Sequence, residues 1–151
     1  MTGGVGWKNV YLCSVRFLRE PKIYLSVMSR FYFAARFSKR FALRPFRQDL
    51  EDLGHIVSSR WIDAEGEDPD ELGRCAQEDL IDIVTTDIVV NFTEPPRDNS
   101  RGGRHCEFGI GLALNKKLVI IGPREHAFHF LPQVRCFASW ADFLGSWLIK
   151  E

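Results

Sequence analysis

Residues 102–121 read GGRHCEFGIGLALNKKLVII, and most of the architecture can be inferred outward from them. Two glycines open a loop, Glu107 begins an apolar run of small residues, and Asn115 ends that run. Asparagine is favoured in the left-handed conformation that closes a helix, and four branched apolar residues in a row, LVII, are typical of a strand covered on both faces. The stretch therefore predicts a loop, a helix, a turn and a buried strand.

Glu107 is the candidate reactive group of this stretch. It lies in the first turn of the predicted helix, where the helix dipole favours an ionised carboxylate. Gly102 and Gly103 precede it, and a glycine backbone lets a ligand approach closely. An ionised carboxylate beside such a backbone is a plausible nucleophile. The alternative is that Glu107 is a surface acid at the start of a helix, without a functional role.

The bulk composition indicates one globular domain with a hydrophobic core. The chain has 151 residues, of which 45% are hydrophobic. Its 20 basic and 20 acidic residues cancel, so the net charge gives no reason to expect a nucleic-acid polymer or a membrane as partner. The charge is uneven, because residues 16–47 are basic and residues 49–82 are rich in acid. The basic part could meet phosphates or could form solvated helix faces.

The cysteines and histidines suggest neither disulfides nor a metal centre. The four cysteines are widely spaced without a CxxC pair, and no signal-peptide pattern precedes them, which predicts reduced thiols in a cytoplasmic protein. No apolar run approaches the ~20 residues of a membrane-spanning helix. His126 and His129 form an HxxH pair, but the sequence shows no third ligand, so we predict no metal site.

Strands and helices alternate along the chain. Residues 1–20 are a possible extension whose order is open, and residues 21–151 are predicted to form one domain. We expect the first strand at KIYLSVM (22–28), then a helix over 30–53 interrupted at Pro45. The following elements are the strand HIVSSRWI, the helix DPDELGRCAQEDLIDIVTTD with Asp70 as its cap, the strand DIVVNF, the central stretch, the strand VRCFAS and the helix WADFLGSWLIKE.

This alternation predicts an α/β fold made of parallel βαβ units. With five strands, we expect a flavodoxin-like three-layer sandwich whose parallel sheet has the order 2-1-3-4-5. Ligands of such sheets bind beyond the carboxyl ends of the strands, at the point where the strand order reverses. Ser26 at the end of the first strand and Asn91 at the end of the third are therefore candidate substrate contacts.

Three stretches together resemble the nucleoside 2-deoxyribosyltransferase family, including its deoxynucleoside 5′-monophosphate N-glycosidase relatives. They are KIYLSVMSR at the first strand, QEDLIDIVTTDIVV in the third unit and GGRHCEFGIGLALNKKLVII in the fourth. The resemblance covers residues 22–121, with a weaker tail to residue 144. Each motif alone is common among α/β proteins, and it is the ordered set of three that carries the resemblance.

The resemblance implies a catalytic set. Glu107 matches the nucleophile that attacks C1′ of the deoxyribosyl group, and Asp79 matches the acid that handles the proton of the departing base. Tyr24 matches the tyrosine that orients the nucleophile. From the residues alone, Asp79 could equally be a surface acid, with Asp82 as the spare candidate, and Tyr24 could be a core tyrosine. The resemblance further implies a deoxynucleoside or deoxynucleotide and a free nucleobase as partners, a homo-oligomer, and no cofactor.

The loop before Glu107 departs from the family pattern. Many members carry Asp or Ser six residues before the glutamate, where this chain has Arg101. Ser100 is adjacent and Asp98 lies three residues earlier, and either could take over the contact with the sugar or its phosphate.

The same loop favours a phosphorylated substrate. Arg101 and Arg104 flank Gly102 and Gly103, whose N–H groups can form an anion nest, so the four residues would suit a 5′-phosphate. The altered position 101 also leaves open a second class of function, a non-catalytic nucleotide-binding or sensing module on the same fold.

Overall fold

The computed structural model describes residues 27–66, 68–95 and 102–147, which form one five-stranded parallel sheet flanked by helices. The strand order is β2-β1-β3-β4-β5, which confirms the predicted flavodoxin-like order. The strands are β1 (Arg30–Ala34), β2 (Ile56–Val57), β3 (Ile88–Phe92), β4 (Lys117–Ile121) and β5 (Val134–Phe137). The helices are α1 (Arg40–Asp52), α2 (Leu72–Thr85), α3 (Gly103–Ala113) and α4 (Trp140–Trp147).

The sheet is covered on both faces, because its strands alternate side chains between two hydrophobic clusters. Phe31 and Phe33 of β1 pack into the cluster on the side of α1 and α4. Tyr32 and Ala34 point the other way, into the cluster that includes Phe108 of α3. A strand that is buried on both faces reads as a continuous apolar run, which is how β3 and β4 were recognisable in the sequence.

The first strand lies eight residues later than the sequence predicted. RFYFA (residues 30–34) is β1 and not the start of a helix, and α1 begins only at Arg40. The aromatic residues at 31, 33 and 37 suggest a helix in the sequence, but a fully buried strand has no need of polar alternation and accommodates them equally well. KIYLSVM lies almost wholly outside the described residues.

Three smaller expectations were also wrong. Pro45 does not interrupt the helix: α1 continues through it to Asp52, with Pro45 on an exposed position. The residue that caps the start of the third unit is Asp68, whose side chain accepts a hydrogen bond from the N–H of Asp70. β2 is shorter than HIVSSRWI, because a 3₁₀ turn begins at Arg60.

The basic residues of α1 hold the following loop rather than form a phosphate surface. Arg47 makes a bidentate contact with Asp63, and Arg40 donates to the carbonyl oxygens of Ala64 and Glu65. These contacts tie α1 to the segment after β2. Within the described residues, the basic side chains Arg40 and Arg47 of α1 therefore have a structural role.

Several predictions concern residues that lie outside the described part of the chain. The proposed extension, residues 1–20, is among them, and so its boundary with the domain stays a prediction. The remaining ones are the candidate site residues Tyr24, Ser26, Asp98, Ser100 and Arg101. Among the described helices, none combines the length and the apolar character that crossing a membrane requires.

Candidate active site

Tyr32, Asp79 and Glu107 meet where β1, α2 and α3 come together. Tyr32 is fully buried in the middle of β1, and its phenol interacts with the carboxyl groups of Glu107 and Asp79. Burial, and after it the two carboxylates, raise the pKa of the Tyr32 phenol, so it remains a hydrogen-bond donor at neutral pH. Its Oη and Glu107 Oε2 are buried, and within the described residues neither completes a hydrogen bond of normal geometry.

Glu107 owes its position to the way in which α3 begins and packs. Gly102, with φ of 86°, adopts the left-handed conformation that turns the chain into α3. One turn after Glu107, Gly111 rests on the sheet so closely that a Cβ there would lie 2.8 Å from Cγ2 of Val89. The helix is thus held against β3, and Asn115 closes the unit with φ of 55°, as predicted.

Burial dominates the electrostatics of Glu107. Removal from water, and after it the nearby charge of Asp79, raise the pKa of Glu107 to about 8, although Tyr32 and Arg104 oppose the change. A buried carboxyl whose pKa is strongly perturbed by burial and by a specific charged neighbour is a common sign of a functional site.

Asp79 projects from α2 toward the same point. Burial raises its pKa to about 6, and the nearby hydroxyl of Tyr32 acts in the opposite direction. Asp82, the spare candidate, is engaged elsewhere: its carboxylate receives the guanidinium of Arg60, with Nη2 at 3.0 Å, and the backbone N–H of the same residue. Of the two acids, Asp79 is the one that reaches Tyr32 and Glu107.

The sequence missed Tyr32. Both KIYLSVM and RFYFA contain a tyrosine between apolar residues. The resemblance uses the first of these segments and therefore indicates Tyr24. The structure instead places Tyr32 beside the two carboxyls, whereas Tyr24 lies outside the described residues. Phe31, Tyr32, Phe33 and Ala34 form an unbroken apolar run, and this signal of a strand buried on both faces could have identified β1.

Arg104 lies in an internal ion pair. Its Nη1 is 2.6 Å from Oε2 of Glu125 and its Nη2 is 2.7 Å from Oε1, a bidentate contact at a residue only 3% exposed. The same Nη1 is 2.9 Å from Nε2 of His105. The guanidinium is therefore already neutralised within the fold, and a role for Arg104 in binding phosphate stays a prediction.

Asn91 also has an internal partner. Its side chain is fully buried at the end of β3, with Nδ2 at 3.4 Å from Nε2 of His129. Gly102 and Gly103 are more open, since a Cβ at either would meet no atom within 4 Å. Position 102 requires glycine because of its left-handed conformation. At position 103, neither packing nor a positive φ requires glycine.

Three histidines gather on the other side of α3. His105 is in the first turn of α3, and His126 and His129 lie after β4. Burial, followed by repulsion from neighbouring cationic groups, lowers the pKa of His129 to about 4, and burial also lowers the pKa of His105. Beside them lies a cavity of about 580 Å³, which is lined by His105, Phe108, Gly109, Leu112, His126, Ala127 and Phe128.

The chain is similar to two solved structures of nucleoside and nucleotide enzymes. One is described as the 2-deoxyribosyltransferase from Bacillus psychrosaccharolyticus: it is 21% identical, with a TM-score of 0.59 over 76% of this chain and 89% of the other. The second is the CMP N-glycosidase of Clostridium botulinum, 20% identical, with a TM-score of 0.53 over 78% of this chain and 96% of the other. At this identity the likeness shows a shared fold, so the predicted resemblance is confirmed at the level of the fold.

No protein-family model matches the sequence, and neither does any curated protein. The function of the protein is therefore inferred from the geometry of the site.

Proposed function

We propose that the protein cleaves the N-glycosidic bond of a 2′-deoxynucleoside or its 5′-monophosphate, through a glycosyl intermediate on Glu107. The observation that carries the proposal is the meeting of two carboxyls of raised pKa with one buried tyrosine. A pair of neighbouring carboxylic acids is what glycoside cleavage uses. The fold shared with a 2-deoxyribosyltransferase and a CMP N-glycosidase supports the same reaction class.

In the first step, a carboxylate oxygen of Glu107 forms a bond to C1′ as the bond between C1′ and the base nitrogen breaks. Asp79 gives its proton to the departing base, so the base leaves as a neutral molecule. The positive charge that develops on the sugar ring is met by the Glu107 carboxylate. No metal or organic cofactor takes part in the proposed step.

In the second step, water or another free base attacks C1′. The bond between C1′ and Glu107 breaks, and Asp79 accepts the proton of the attacking group. Two inversions at C1′ give net retention of configuration. Water as the acceptor makes the protein a hydrolase, and a base as the acceptor makes it a transferase.

The two raised pKa values bear on how the first step begins. Between about pH 6 and pH 8 the pair of Asp79 and Glu107 holds one proton. The reactive form has that proton on Asp79 and leaves Glu107 ionised, although Glu107 is the stronger base. Positive charge on the sugar lowers the pKa of Glu107. The transition state therefore favours this form over the one that carries the proton on Glu107.

Tyr32 is the positioning residue of the proposal. Its hydroxyl favours the ionised form of both carboxyls, because a phenol O–H close to a carboxylate stabilises the negative charge and lowers each pKa. Held in a central strand, the phenol can fix the direction of the Glu107 carboxylate. The tyrosine role that the resemblance placed on Tyr24 is thereby proposed for Tyr32.

The start of α3 favours a 5′-monophosphate over a free 5′-hydroxyl. A helix N-terminus attracts anions, and Gly103 leaves room for one to approach the backbone. Because Arg104 is paired with Glu125, the backbone and Arg101, which lies outside the described residues, are the proposed sources of positive charge.

The test is incubation of the protein with deoxynucleosides and with their 5′-monophosphates, with and without an acceptor base. Base release in water alone marks a hydrolase, and base exchange marks a transferase. We expect Glu107→Gln to abolish either activity and Cys106→Ser, at the exposed neighbouring position, to retain it. If a nucleotide raises the melting temperature of the wild-type protein but no base is released, the non-catalytic binding module is the correct alternative.

A further inference from the structure

Three of the four histidines of the chain converge on one place outside the proposed active site. His105, His126 and His129 each offer a ring nitrogen, and these nitrogens lie within 4.8 Å of one another. His105 shares one face of α3 with Phe108, Gly109 and Leu112, at the helical spacing i, i+3, i+4, i+7. Glu107 is not on that face.

The ring nitrogens of His126 give a second indication of a ligand, independent of the clustering of the three histidines. Both of its ring nitrogens are buried, and neither has a hydrogen-bond partner within the described residues. A buried polar group without a partner destabilises a fold by about 1–3 kcal/mol, so each such group calls for a physical explanation. An imidazole with unpaired nitrogens beside two other imidazoles is readily explained as a metal ligand, since an ion would engage one of those nitrogens.

His129 is oriented by neighbours of the kind that support ligands. Its Nδ1 accepts a hydrogen bond from the N–H of Glu125 at 3.1 Å, which places the lone pair on Nδ1 and the proton on Nε2. Nε2 faces the buried amide of Asn91, whose Oδ1 has no other partner within the described residues. With its amide turned so that Oδ1 accepts that proton, Asn91 fixes the tautomer of His129.

We propose that His105, His126 and His129 bind a divalent transition-metal ion of the zinc class. Imidazole nitrogens suit Zn²⁺, Co²⁺, Ni²⁺ and Cu²⁺, and they suit Mg²⁺ and Ca²⁺ poorly. His105 and His126 also line the cavity of about 580 Å³, from which solvent or a small ligand can complete the coordination.

Binding requires three local adjustments. The Nδ1 of His129, whose lone pair accepts the N–H of Glu125, must exchange that hydrogen bond for the metal ion, while its Nε2–H keeps Asn91 as its acceptor. Tetrahedral coordination at ~2.0–2.1 Å places ligand nitrogens roughly 3.4 Å apart, so the three rings must close in from their 4.8 Å limit. His105 must also turn from Nη1 of Arg104, which lies 2.9 Å from its Nε2. The charge of that guanidinium is offset by its bidentate contact with Glu125, and so the site is not dominated by a free cation.

The experiment is titration of the full chain with Zn²⁺ by calorimetry, with Co²⁺ as a spectroscopic probe. We expect one ion per chain, a rise in melting temperature with added Zn²⁺, and Co²⁺ absorption typical of nitrogen ligation. His126→Leu removes no hydrogen bond, so it should fold as well as the wild type and bind Zn²⁺ at least about tenfold more weakly. His55→Gln, at the one histidine outside the cluster, is the matched control and should bind as the wild type does.

Three results would overturn the proposal. One is the absence of Zn²⁺ binding to the wild-type chain. The second is equal affinity of the wild type and His126→Leu. The third is a sulfur-to-cobalt charge-transfer band that Cys106→Ser removes, because that band would assign the ion to a thiolate.

Discussion

At the scale of single residues, the proposed chemistry depends on how Tyr32 balances the protons of Glu107 and Asp79. With pKa values of about 8 and about 6, the pair gives a reactive singly protonated state only between those values. Below about pH 6 Glu107 and Asp79 are both protonated and no nucleophile is present. Above about pH 8 both are ionised and no acid is present. The pH profile of kcat/KM should therefore be bell-shaped.

Tyr32→Phe tests that balance. Loss of the hydroxyl removes the interaction that lowers the pKa of both carboxyls, so both limbs of the profile should move to higher pH. We expect kcat to fall by roughly 10–100-fold, since the Glu107 carboxylate also loses its positioning contact. The measurement is kcat/KM from pH 5 to pH 9.5 for both proteins. An unchanged profile would remove Tyr32 from the mechanism.

Gly103→Ala tests whether the start of α3 meets the substrate. A Cβ at 103 contacts nothing within 4 Å, so the fold should keep its stability within about 0.5 kcal/mol. If a phosphate or sugar approaches this backbone, KM should rise by about tenfold or more. Gly109→Ala, in the same helix and equally open, is the matched control and should show no change in KM. Equal behaviour of the two variants would contradict the proposed binding mode.

At the scale of secondary-structure elements, the critical contact is the close approach of α3 to the sheet. A Cβ at Gly111 would lie 2.8 Å from Cγ2 of Val89, closer than Cβ atoms pack in proteins, and 3.2 Å from Cδ2 of Leu118, a tight contact. Gly111→Ala should therefore displace α3, and Glu107 with it. We expect a loss of about 1–3 kcal/mol in the free energy of unfolding and a fall in kcat/KM.

Chemical denaturation and steady-state kinetics of Gly111→Ala provide the measurement. Gly109→Ala again serves as the control, because it adds the same methyl group to α3 on an open face. If Gly111→Ala were as stable and as active as the control, α3 would not be held to β3 and β4 in the way described.

The elements that the sequence predicted well are those whose boundaries have a chemical marker. Asn115 closes α3 in the left-handed conformation, and LVII forms the buried strand β4. β1 was misplaced because two neighbouring segments, residues 22–28 and 30–34, share the same apolar and aromatic pattern. Pairing of Tyr32 with Val89 and of Ala34 with Asn91 establishes the second as β1, and such long-range pairing leaves no local trace. In the sequence, only the unbroken apolar run of the second segment distinguishes the two.

Some residues of the site could also be predicted from the sequence, and others could not. Glu107 was recognisable as an acid at the start of an apolar helical run. Asp79 was indicated only by the resemblance, since from the residues alone it could equally be a surface acid. The bidentate contact between Arg104 and Glu125 joins residues 21 positions apart. The histidine cluster combines the HxxH pair with His105 of α3. Sequence spacing alone gives neither, since both depend on how α3 packs beside the segment that follows β4.

At the scale of the whole molecule, the buried pair links function to stability. Glu107 has a folded-state pKa of about 8, above its ordinary value of 4.5. The folded protein thus holds this proton more tightly than the unfolded chain, and the resulting stability is complete below about pH 4.5. That stability is lost as the pH rises through about 8.

Glu107→Gln should therefore be more stable than the wild type at pH 9, by an amount on the order of 2 kcal/mol, and should lose this advantage below pH 5. Thermal or chemical unfolding at both pH values provides the measurement. A Glu107→Gln protein that is less stable at pH 9 would mean that Glu107 is not buried at an energetic cost. The homo-oligomer that the resemblance implies stays a prediction, and these measurements are best accompanied by the molecular mass in solution.

The most direct test of the central claim is to look for the sugar on Glu107. The protein is incubated with a deoxynucleoside 5′-monophosphate, quenched in acid, digested and examined by mass spectrometry. We predict a deoxyribosyl phosphate adduct on the peptide that contains Glu107, formed as base is released and absent from Glu107→Gln. Base release by the Glu107→Gln variant at the wild-type rate, or an adduct that maps to another residue, would contradict the proposed mechanism.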